Sequence, residues 1–307
     1  MVDRGDFDPW LRQRAADAGA IRVTGVFESL RREPGGALSL RYREDHKRGP
    51  QRTLRVRAVV GADGAASRVR EQALGKREKM AKVFAYHEIV KSPAGATPDF
   101  DPARCDVYYQ GEVSPDFYGW VFPHGGCTSV GAGSAVKGFS LRAAVARMRE
   151  RSGLADSEVI RTEGAPLPLK PLRRWDNGAD VLLVGDAAGT VAPSSGEGIY
   201  YGMSSGRHGG EAVSEFLATG KARALRQARR RFMAEHRIVF MILGIMQRYW
   251  YTSDKRREKF VQICRDPDVQ RLTWESYMNK KIVRARPSTH VRIFMKDLAH
   301  LVGLNPR

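Results

Sequence analysis

The beginning of the chain changes from a helical to a strand-like hydrophobic pattern. Four apolar residues recur at helical spacing and predict a helix over residues 7–18: Phe7, Leu11, Ala15 and Ala18. Beyond them the alternation of apolar and polar positions predicts three strands, at residues 21–30, 37–43 and 53–60. Glycine-containing or polar stretches separate these strands, as hairpin connections require. The third strand leads into a turn at residues 61–64.

The middle of the chain has the pattern of an antiparallel sheet. Between residues 81 and 168, aromatic and β-branched residues form short runs that glycine and proline separate: HEIV, DVYYQG, YGWVFP and CTSVGAG. One helix interrupts them at residues 139–151, where Leu141, Val145 and Met148 have helical spacing. Ser140 precedes this helix and can cap its first turn.

The last third of the chain combines one buried strand with several helices. The wholly apolar run VLLVG, residues 181–185, predicts a strand that is covered on both faces of a parallel sheet. Helical patterns follow over residues 199–217 and over most of residues 221–307. These elements predict an α/β fold in which an antiparallel sheet is inserted into a parallel one, followed by a helical C-terminal region.

Positive charge is concentrated in that C-terminal region. The formal net charge of the chain is +18, and residues 221–307 hold 21 Lys and Arg against 7 Asp and Glu. Such a balance indicates an anionic partner, either a bilayer surface or nucleic acid. No nucleic-acid-binding motif accompanies the charge, so we expect a membrane surface and no nucleic acid. Individual runs such as RQARRR, residues 226–231, and the histidines other than His124 are interpreted as solvated surface.

Neither a metal site nor a membrane span is expected. The three cysteines, Cys105, Cys127 and Cys264, are far apart and form no CxxC pair. A reducing, cytoplasmic location is therefore predicted. No apolar run approaches the roughly 18 residues that a spanning helix needs. The expected association with a membrane is therefore peripheral.

A first motif that can carry chemistry is VVGADGAASRVR, residues 59–70. An apolar strand ends there in a glycine-containing turn, followed by Ser67 and Arg70. One interpretation is a strand-to-helix turn beside a dinucleotide, where Asp63 and Gly64 meet polar ligand atoms and Arg70 supplies positive charge. The alternative is an ordinary turn with an Asx-type hydrogen bond. The residues alone leave both open.

A second motif, residues 181–212, has the pattern of a nucleotide site. The buried strand ends at Gly185 and Asp186, and a glycine-rich loop leads into a helix. Asp186 can accept hydrogen bonds from sugar or ribityl hydroxyls at the carboxyl end of the strand. Gly196 and Gly198 let the backbone approach a planar ring, and the helix that starts near Gly198 offers free N–H groups to negative charge. Plain packing of the turn is the alternative.

Taken together, GADGAASRVR and VGDAAGTVAPSSGEGIYY resemble the paired motifs of the para-hydroxybenzoate hydroxylase type of flavoproteins. The sequence APSSGEGIYYGMSSG and the segment DFYGWVFPHG, residues 116–125, are similar to sequences of the geranylgeranyl reductase family. The resemblance implies that FAD is the cofactor. It assigns the diphosphate and nicotinamide side to Asp63, Gly64 and Arg70. It assigns the ribityl chain and isoalloxazine to Gly185, Asp186, Ala187, Pro193, Gly196, Gly198 and Ile199.

The same resemblance implies the reaction, a peripheral location at the inner or photosynthetic membrane, and the division into domains. The activity would be NADPH-dependent saturation of isolated C=C bonds, converting a geranylgeranyl tail to phytyl on a (bacterio)chlorophyll pigment or on the free diphosphate. The family's first strand, GxGxxG loop and helix have no counterpart in the sequence, so the chain would begin near the hundredth residue of a full-length relative. The domains expected are a truncated FAD-binding part at 1–75, a substrate-binding domain at 76–175, a second FAD-binding part at 176–220 and the basic helical region at 221–307.

Two further segments are candidates for contact with an apolar partner. Tyr118, Trp120 and Phe122 occupy alternate positions, so one strand face is aromatic and would suit a prenyl tail. An aromatic core strand is the alternative. The run IVFMILGIM, residues 238–246, is too short to span a bilayer and can either dock on its surface or form a buried helix. His124 is interpreted as a loop histidine, and no catalytic acid is identified.

Two other functions are compatible with the motifs. One is a flavin monooxygenase of the same superfamily, which would use oxygen instead of reducing an alkene. The other is a non-catalytic fragment that binds anionic membrane through residues 221–307.

Overall fold

The computed structural model describes residues 4–75 and 80–280 and has the predicted α/β fold. It begins with helix α1 (Arg4–Asp17), close to the predicted bounds. A three-stranded antiparallel sheet follows, with strand order β1-β2-β3. Its strands are β1 (Gly25–Arg32), β2 (Leu38–Glu44) and β3 (Gln51–Val56).

A parallel pair of short strands forms the centre of the fold. Strand β4 (Val59–Gly61) precedes helix α2 (Arg68–Leu74), and strand β10 (Val181–Leu183) returns beside β4 about 120 residues later. Val59 lies opposite Val181, and Gly61 lies opposite Leu183. All three residues of β10 are buried, as the apolar run predicts.

The segment between the paired strands forms an antiparallel sheet of five strands with order β6-β7-β8-β5-β9. The strands are β5 (Lys82–Lys91), β6 (Asp106–Tyr108), β7 (Gly119–His124), β8 (Cys127–Ser134) and β9 (Val159–Pro168). Helix α3 (Leu141–Arg151) covers one face with Ala144, Val145 and Met148, which are fully buried. Ser140 caps its first turn by accepting a hydrogen bond from Ala143 N, as predicted. The other face of the sheet is free to form a cavity.

Helices account for most of the remaining described chain. They are α4 (Ile199–Thr219), α5 (Arg226–Trp250), α6 (Asp254–Ile263) and α7 (Pro267–Asn279). The first half of α5 packs Phe232 against Trp175 in the core that contains β10. Helices are thus found from residue 221 to Asn279, and the part of the prediction beyond residue 280 lies outside the described residues.

Three strand predictions need correction. The stretch 53–60 is not one strand, because β3 ends at Val56 and β4 starts at Val59 in a different sheet. The DVYYQG strand ends at Tyr108, because the carbonyl of Gln110 accepts turn hydrogen bonds from Val113 and Ser114. Strand β9 was not identified, because most of it is exposed and it contains glycine and two prolines.

Candidate functional site

The two predicted motifs lie side by side in the structure. Parallel pairing brings the carboxyl ends of β4 and β10 to one edge of the sheet, and Val184 N donates to the carbonyl of Gly61 across it. A Cβ on Gly61 would lie 2.8 Å from both Leu183 and Val69, so glycine permits the close approach of strand and helix. Ligands of open α/β sheets bind beyond this edge.

The first turn uses its polar groups to begin helix α2. One oxygen of Asp63 accepts from Arg68 N at 2.8 Å and Val69 N at 3.1 Å, and the other accepts from Ser67 Oγ at 2.5 Å. Gly64 has a φ of +79°. Arg70 is buried and donates to the carbonyl of Ala65 at 3.1 Å. The capping geometry fits the Asx-turn alternative for Asp63, and the ligand roles of Asp63, Gly64 and Arg70 stay predictions.

The second turn presents Asp186 at the end of β10. Gly185, with a φ of +59°, begins a 3₁₀ turn that ends before Gly189. Gly189 also has positive φ, and a Cβ there would lie 2.3 Å from the carbonyl oxygen of Lys170. Ala187 is buried beneath the turn. Glycine is therefore required at both ends of this turn.

The carboxylate of Asp186 is half-buried and lacks a hydrogen-bond donor among residues 4–75 and 80–280. Burial raises the pKa of Asp186, while the positive charge of Arg4 opposes the increase. Gly198, at the start of α4, lies close to Asp186, since a Cβ on Gly198 would be 3.4 Å from the Asp186 carboxylate. The group has free acceptor capacity at the place where hydroxyls of a ribityl chain are expected.

The loop between this turn and helix α4 is closed on itself and fixed from outside. Gly196 N donates to the carbonyl of Ala192, and Ala192 N donates to the carbonyl of Glu197. Two tyrosine hydroxyls from distant segments reach neighbouring carbonyls: Tyr118 donates to Ser195 at 2.5 Å and Tyr251 donates to Ser194 at 3.2 Å. The fixed loop then presents the N-terminus of α4, which no side chain caps within the described structure.

The residues predicted for the isoalloxazine all lie in this loop and the start of α4. Pro193 is buried, whereas Gly196 and Gly198 are half-buried and Ile199 is 39% exposed. Gly196 has a φ of +66°, so its conformation favours glycine. A Cβ at Gly196 would already be in van der Waals contact with Leu167, Phe117 and Tyr118, at 3.4–3.7 Å. Glycines in the turns, free N–H groups and an unpaired carboxylate are the features that FAD binding requires.

A cavity of about 570 Å³ adjoins the loop. Tyr118, Trp120 and Phe122 line it from β7 and the residue before it, with ring centroids 5.8 Å and 6.3 Å apart. Ser195 and Gly196 contribute to the same lining from the glycine-rich loop. The structure therefore places the aromatic face and the predicted ring-binding loop in one cavity. Val121, between the aromatic residues, points into the core on the other side of the sheet.

His87 and Glu163 also line this cavity, although the sequence gave no signal for either. His87 Nε2 is 3.0 Å from Glu163 Oε2, and His87 Nδ1 is 3.0 Å from Ser129 Oγ. The interpretation of His87 as solvated surface was wrong, because pairing of β5 with β8 and β9 carries it onto the cavity face. His124, by contrast, is an exposed residue at the end of β7.

In residues 4–75 and 80–280, no group of three or more His, Cys, Asp or Glu is arranged to hold a metal ion. No helix in the same described ranges is long and apolar enough to cross a bilayer.

Comparison with known proteins identifies both the domain and similar reductases. An FAD binding domain family matches residues 1–236. The geranylgeranyl diphosphate reductase of Rhodobacter capsulatus is 52% identical over 306 residues, which cover 100% of this chain and 77% of that protein. The chloroplastic geranylgeranyl diphosphate reductase of Oryza sativa is 36% identical, covering 98% and 67%. The Synechocystis enzyme of the same name is 34% identical, covering 99% and 77%.

A solved structure shows the same fold. A geranylgeranyl bacteriochlorophyll reductase-like protein from Thermoplasma acidophilum superposes with a TM-score of 0.76. The match covers 98% of this chain and 73% of that one, at 20% identity. A flavin-dependent brominase is also similar in fold, with a TM-score of 0.65 and 17% identity.

Proposed function

Because the chain belongs to the geranylgeranyl reductase family of FAD-binding proteins, we propose that it saturates isolated C=C bonds of a geranylgeranyl chain. The observation that carries the proposal is the shared cavity, in which Trp120 and Phe122 face the same space as Ser195 and Gly196 of the glycine-rich loop. An apolar substrate held by the aromatic face would thus be adjacent to the cofactor-binding backbone. Both the pigment-bound tail and the free diphosphate remain candidate substrates.

FAD, when bound, supplies the hydride chemistry, and the protein supplies binding, orientation and a dry pocket. Asp186 would accept hydrogen bonds from the ribityl hydroxyls, since its carboxylate has no donor in the described chain. The uncapped N-terminus of α4 would stabilise negative charge on the pyrimidine edge. Gly196 and Gly198 would allow ring and backbone to come into contact.

The substrate side is formed by aromatic rings and one polar pair. Tyr118, Trp120 and Phe122 would pack against the prenyl chain and exclude water. A proton can be held in the same cavity at Nδ1 or Nε2 of His87, next to Ser129 and Glu163. NADPH is the proposed source of reducing equivalents, with Arg70 and Asp63 on its side of the cofactor.

The reaction is tested by parallel anaerobic and aerobic assays of the full chain with FAD, NADPH and geranylgeranyl diphosphate. Mass spectrometry should show the gain of two hydrogens for each double bond reduced. A Trp120→Phe variant keeps an aromatic ring and should retain product formation, which makes it the control for more severe changes at that position. Oxygen consumption with an oxygenated product would instead identify a monooxygenase, and absence of any product would reject the proposed reaction.

We also infer that the protein binds anionic membrane surfaces peripherally. Ile238, Met241, Ile242 and Ile245 occupy positions i, i+3, i+4 and i+7 of one face of α5 and are 51%, 58%, 40% and 60% exposed. An exposed apolar stripe on a basic helix is typical of helices that lie in the membrane interface. The stripe supports surface docking over the buried-helix alternative for the segment 238–246.

A further inference from the structure

A second cleft, of about 830 Å³, lies between the loop that precedes β10 and the first half of α5. The loop contributes Trp175 and two of its arginines, and α5 contributes the other four. The arginines are Arg173, Arg174, Arg226, Arg229, Arg230 and Arg237. Part of the RQARRR run therefore lines a defined cleft and is not simply solvated surface. We call this site the arginine cleft.

None of the six arginines forms a salt bridge with an acid of the described ranges, 4–75 and 80–280. The single acid in the lining is Asp176, whose carboxylate accepts the N–H of Gly178 at 2.9 Å. Arg229 is held in place, because its Nε donates to the carbonyl of Leu172 at 2.8 Å. Other surface arginines form salt bridges, such as Arg231, whose Nη1 lies 2.8 Å from Glu211 Oε2. Within the described chain, the arginine cleft thus holds six arginines and a single acid, which is a large excess of positive charge.

The electrostatic energy of the arginine cleft is unfavourable while no anion is bound in it. Six like charges around one cleft repel one another, and an anionic ligand would relieve that repulsion. Guanidinium groups match phosphate oxygens with paired hydrogen bonds, so phosphate is the group that this lining fits. The lining also includes buried Trp175, whose indole N–H has no acceptor among the described residues.

The exposed face of helix α5 favours a phosphate that belongs to a lipid over a soluble one. Arg226, Arg230 and Arg237 lie on the side of the helix that continues into Met241 and Ile245, so the exposed face changes from basic to apolar along the helix. Phosphate groups and acyl chains occur next to each other in a bilayer surface. We propose that the arginine cleft binds the phosphate of anionic phospholipid headgroups while the apolar stripe inserts beside them. This rests on the proposed peripheral membrane binding.

The test compares two double variants that remove the same charge. Arg226→Gln with Arg230→Gln changes the cleft at side chains that form no hydrogen bond within the described chain. Arg31→Gln with Arg48→Gln changes exposed positions of the three-stranded sheet region and serves as the control. Sedimentation of the full chain with phosphatidylcholine vesicles, with and without phosphatidylglycerol, measures binding. Titration with inorganic diphosphate measures affinity for a soluble phosphate.

The cleft variant should bind phosphatidylglycerol vesicles roughly 30-fold more weakly than the unmodified chain, from the usual contribution of two basic residues at an anionic surface. The control should bind nearly as well as the unmodified chain. Equal losses in both variants would show that only net charge matters and would overturn the proposal. Tight binding of diphosphate that the cleft variant loses, with vesicle binding intact, would overturn the lipid assignment. If the unmodified chain binds no vesicles, membrane docking fails as well, whereas the reductase assay in detergent judges that activity separately.

Discussion

At the residue scale, the half-buried Asp186 has a cost to stability, and we propose that its carboxylate binds FAD. Its carboxylate is half-buried with no hydrogen-bond donor in the described residues, and burial raises the pKa of Asp186. Asp186→Asn keeps an oxygen acceptor but removes the charge, and should weaken FAD binding by about 1–1.5 kcal/mol, the usual difference between hydrogen bonds to charged and to neutral groups. Fluorescence titration with FAD measures this change, and unchanged affinity would contradict the ribityl assignment.

The same substitution should stabilise the flavin-free protein at neutral pH. Because the folded-state pKa of Asp186 is raised, ionisation of its carboxylate destabilises the fold as pH increases from the unfolded value, about 3.9, through the folded one. The Asn variant lacks this penalty. Its melting temperature should exceed that of the unmodified chain at pH 7 and lose that advantage below the unfolded pKa. Parallel melting curves at several pH values test this, and a constant difference would exclude ionisation as its cause.

Trp120 is the residue that best tests the aromatic face. Trp120→Ala removes an indole that lines the cavity, and should raise KM for geranylgeranyl diphosphate roughly 10- to 150-fold through loss of about 1.5–3 kcal/mol of apolar contact. The flavin absorbance spectrum should not change. Val107→Ala, at an exposed position opposite Trp120 on β6, is the control. Loss of the folded state in the Trp120 variant would favour the core-strand interpretation instead.

Residues could be predicted where their role depends on local chain geometry. The glycines and Asp186 follow a buried strand, and the turn they form is encoded within a few positions. His87 shows the limit, because its place in the cavity depends on pairing with β9, more than 70 residues away. Asp63 shows another limit, since a carboxylate that caps a helix and one that meets a ligand have the same sequence pattern.

At the scale of elements, the end of α5 helps to fix the glycine-rich loop that precedes α4. Tyr251 is 2% exposed and donates to the carbonyl of Ser194, and Arg257 of α6 holds the carbonyl of Tyr251 at 2.6 Å. Tyr251→Phe removes the hydroxyl and should weaken FAD binding about fivefold, since a buried hydrogen bond contributes about 1 kcal/mol.

Measurement of FAD affinity together with limited proteolysis of the loop tests this positioning role. Tyr249→Phe is the matched control, because the hydroxyl of Tyr249 forms no hydrogen bond in the described part of the chain. If Tyr251→Phe only made the protein less stable, its melting temperature would fall together with its affinity for FAD. An affinity equal to that of the control variant would show that the loop does not depend on Tyr251.

Element prediction failed where the chain changes sheets without changing its pattern. Residues 53–60 keep strand-like alternation, yet β3 pairs with β2 and β4 pairs with β10. An alternating pattern indicates that one face of a strand is buried, but it does not indicate to which sheet the strand belongs. By contrast, helix α3 was predicted with its cap, since helical spacing and the capping serine are both local signals.

At the scale of the whole molecule, the candidate site joins segments far apart in the sequence. The aromatic face comes from β7, the ring-binding loop from the residues after β10, and a supporting hydroxyl from the end of α5. The sequence alone could not show that these segments meet. Only the resemblance to a flavoprotein family indicated that the two motifs belong to one site. The predicted domain boundaries remain predictions.

The apolar stripe of α5 gives a final prediction about how the molecule meets a bilayer. Met241→Gln with Ile245→Gln replaces two exposed apolar side chains without changing charge, and should weaken vesicle binding roughly tenfold for each side chain that inserts. Ile21→Gln with Val23→Gln alters two other exposed apolar residues, near β1, and serves as the control. Sedimentation at low and high salt separates the two contributions, because salt screens the arginines and leaves apolar insertion intact. We expect the stripe variant to lose the binding that persists at high salt. Equal binding of both variants would mean that charge alone holds the protein to the membrane.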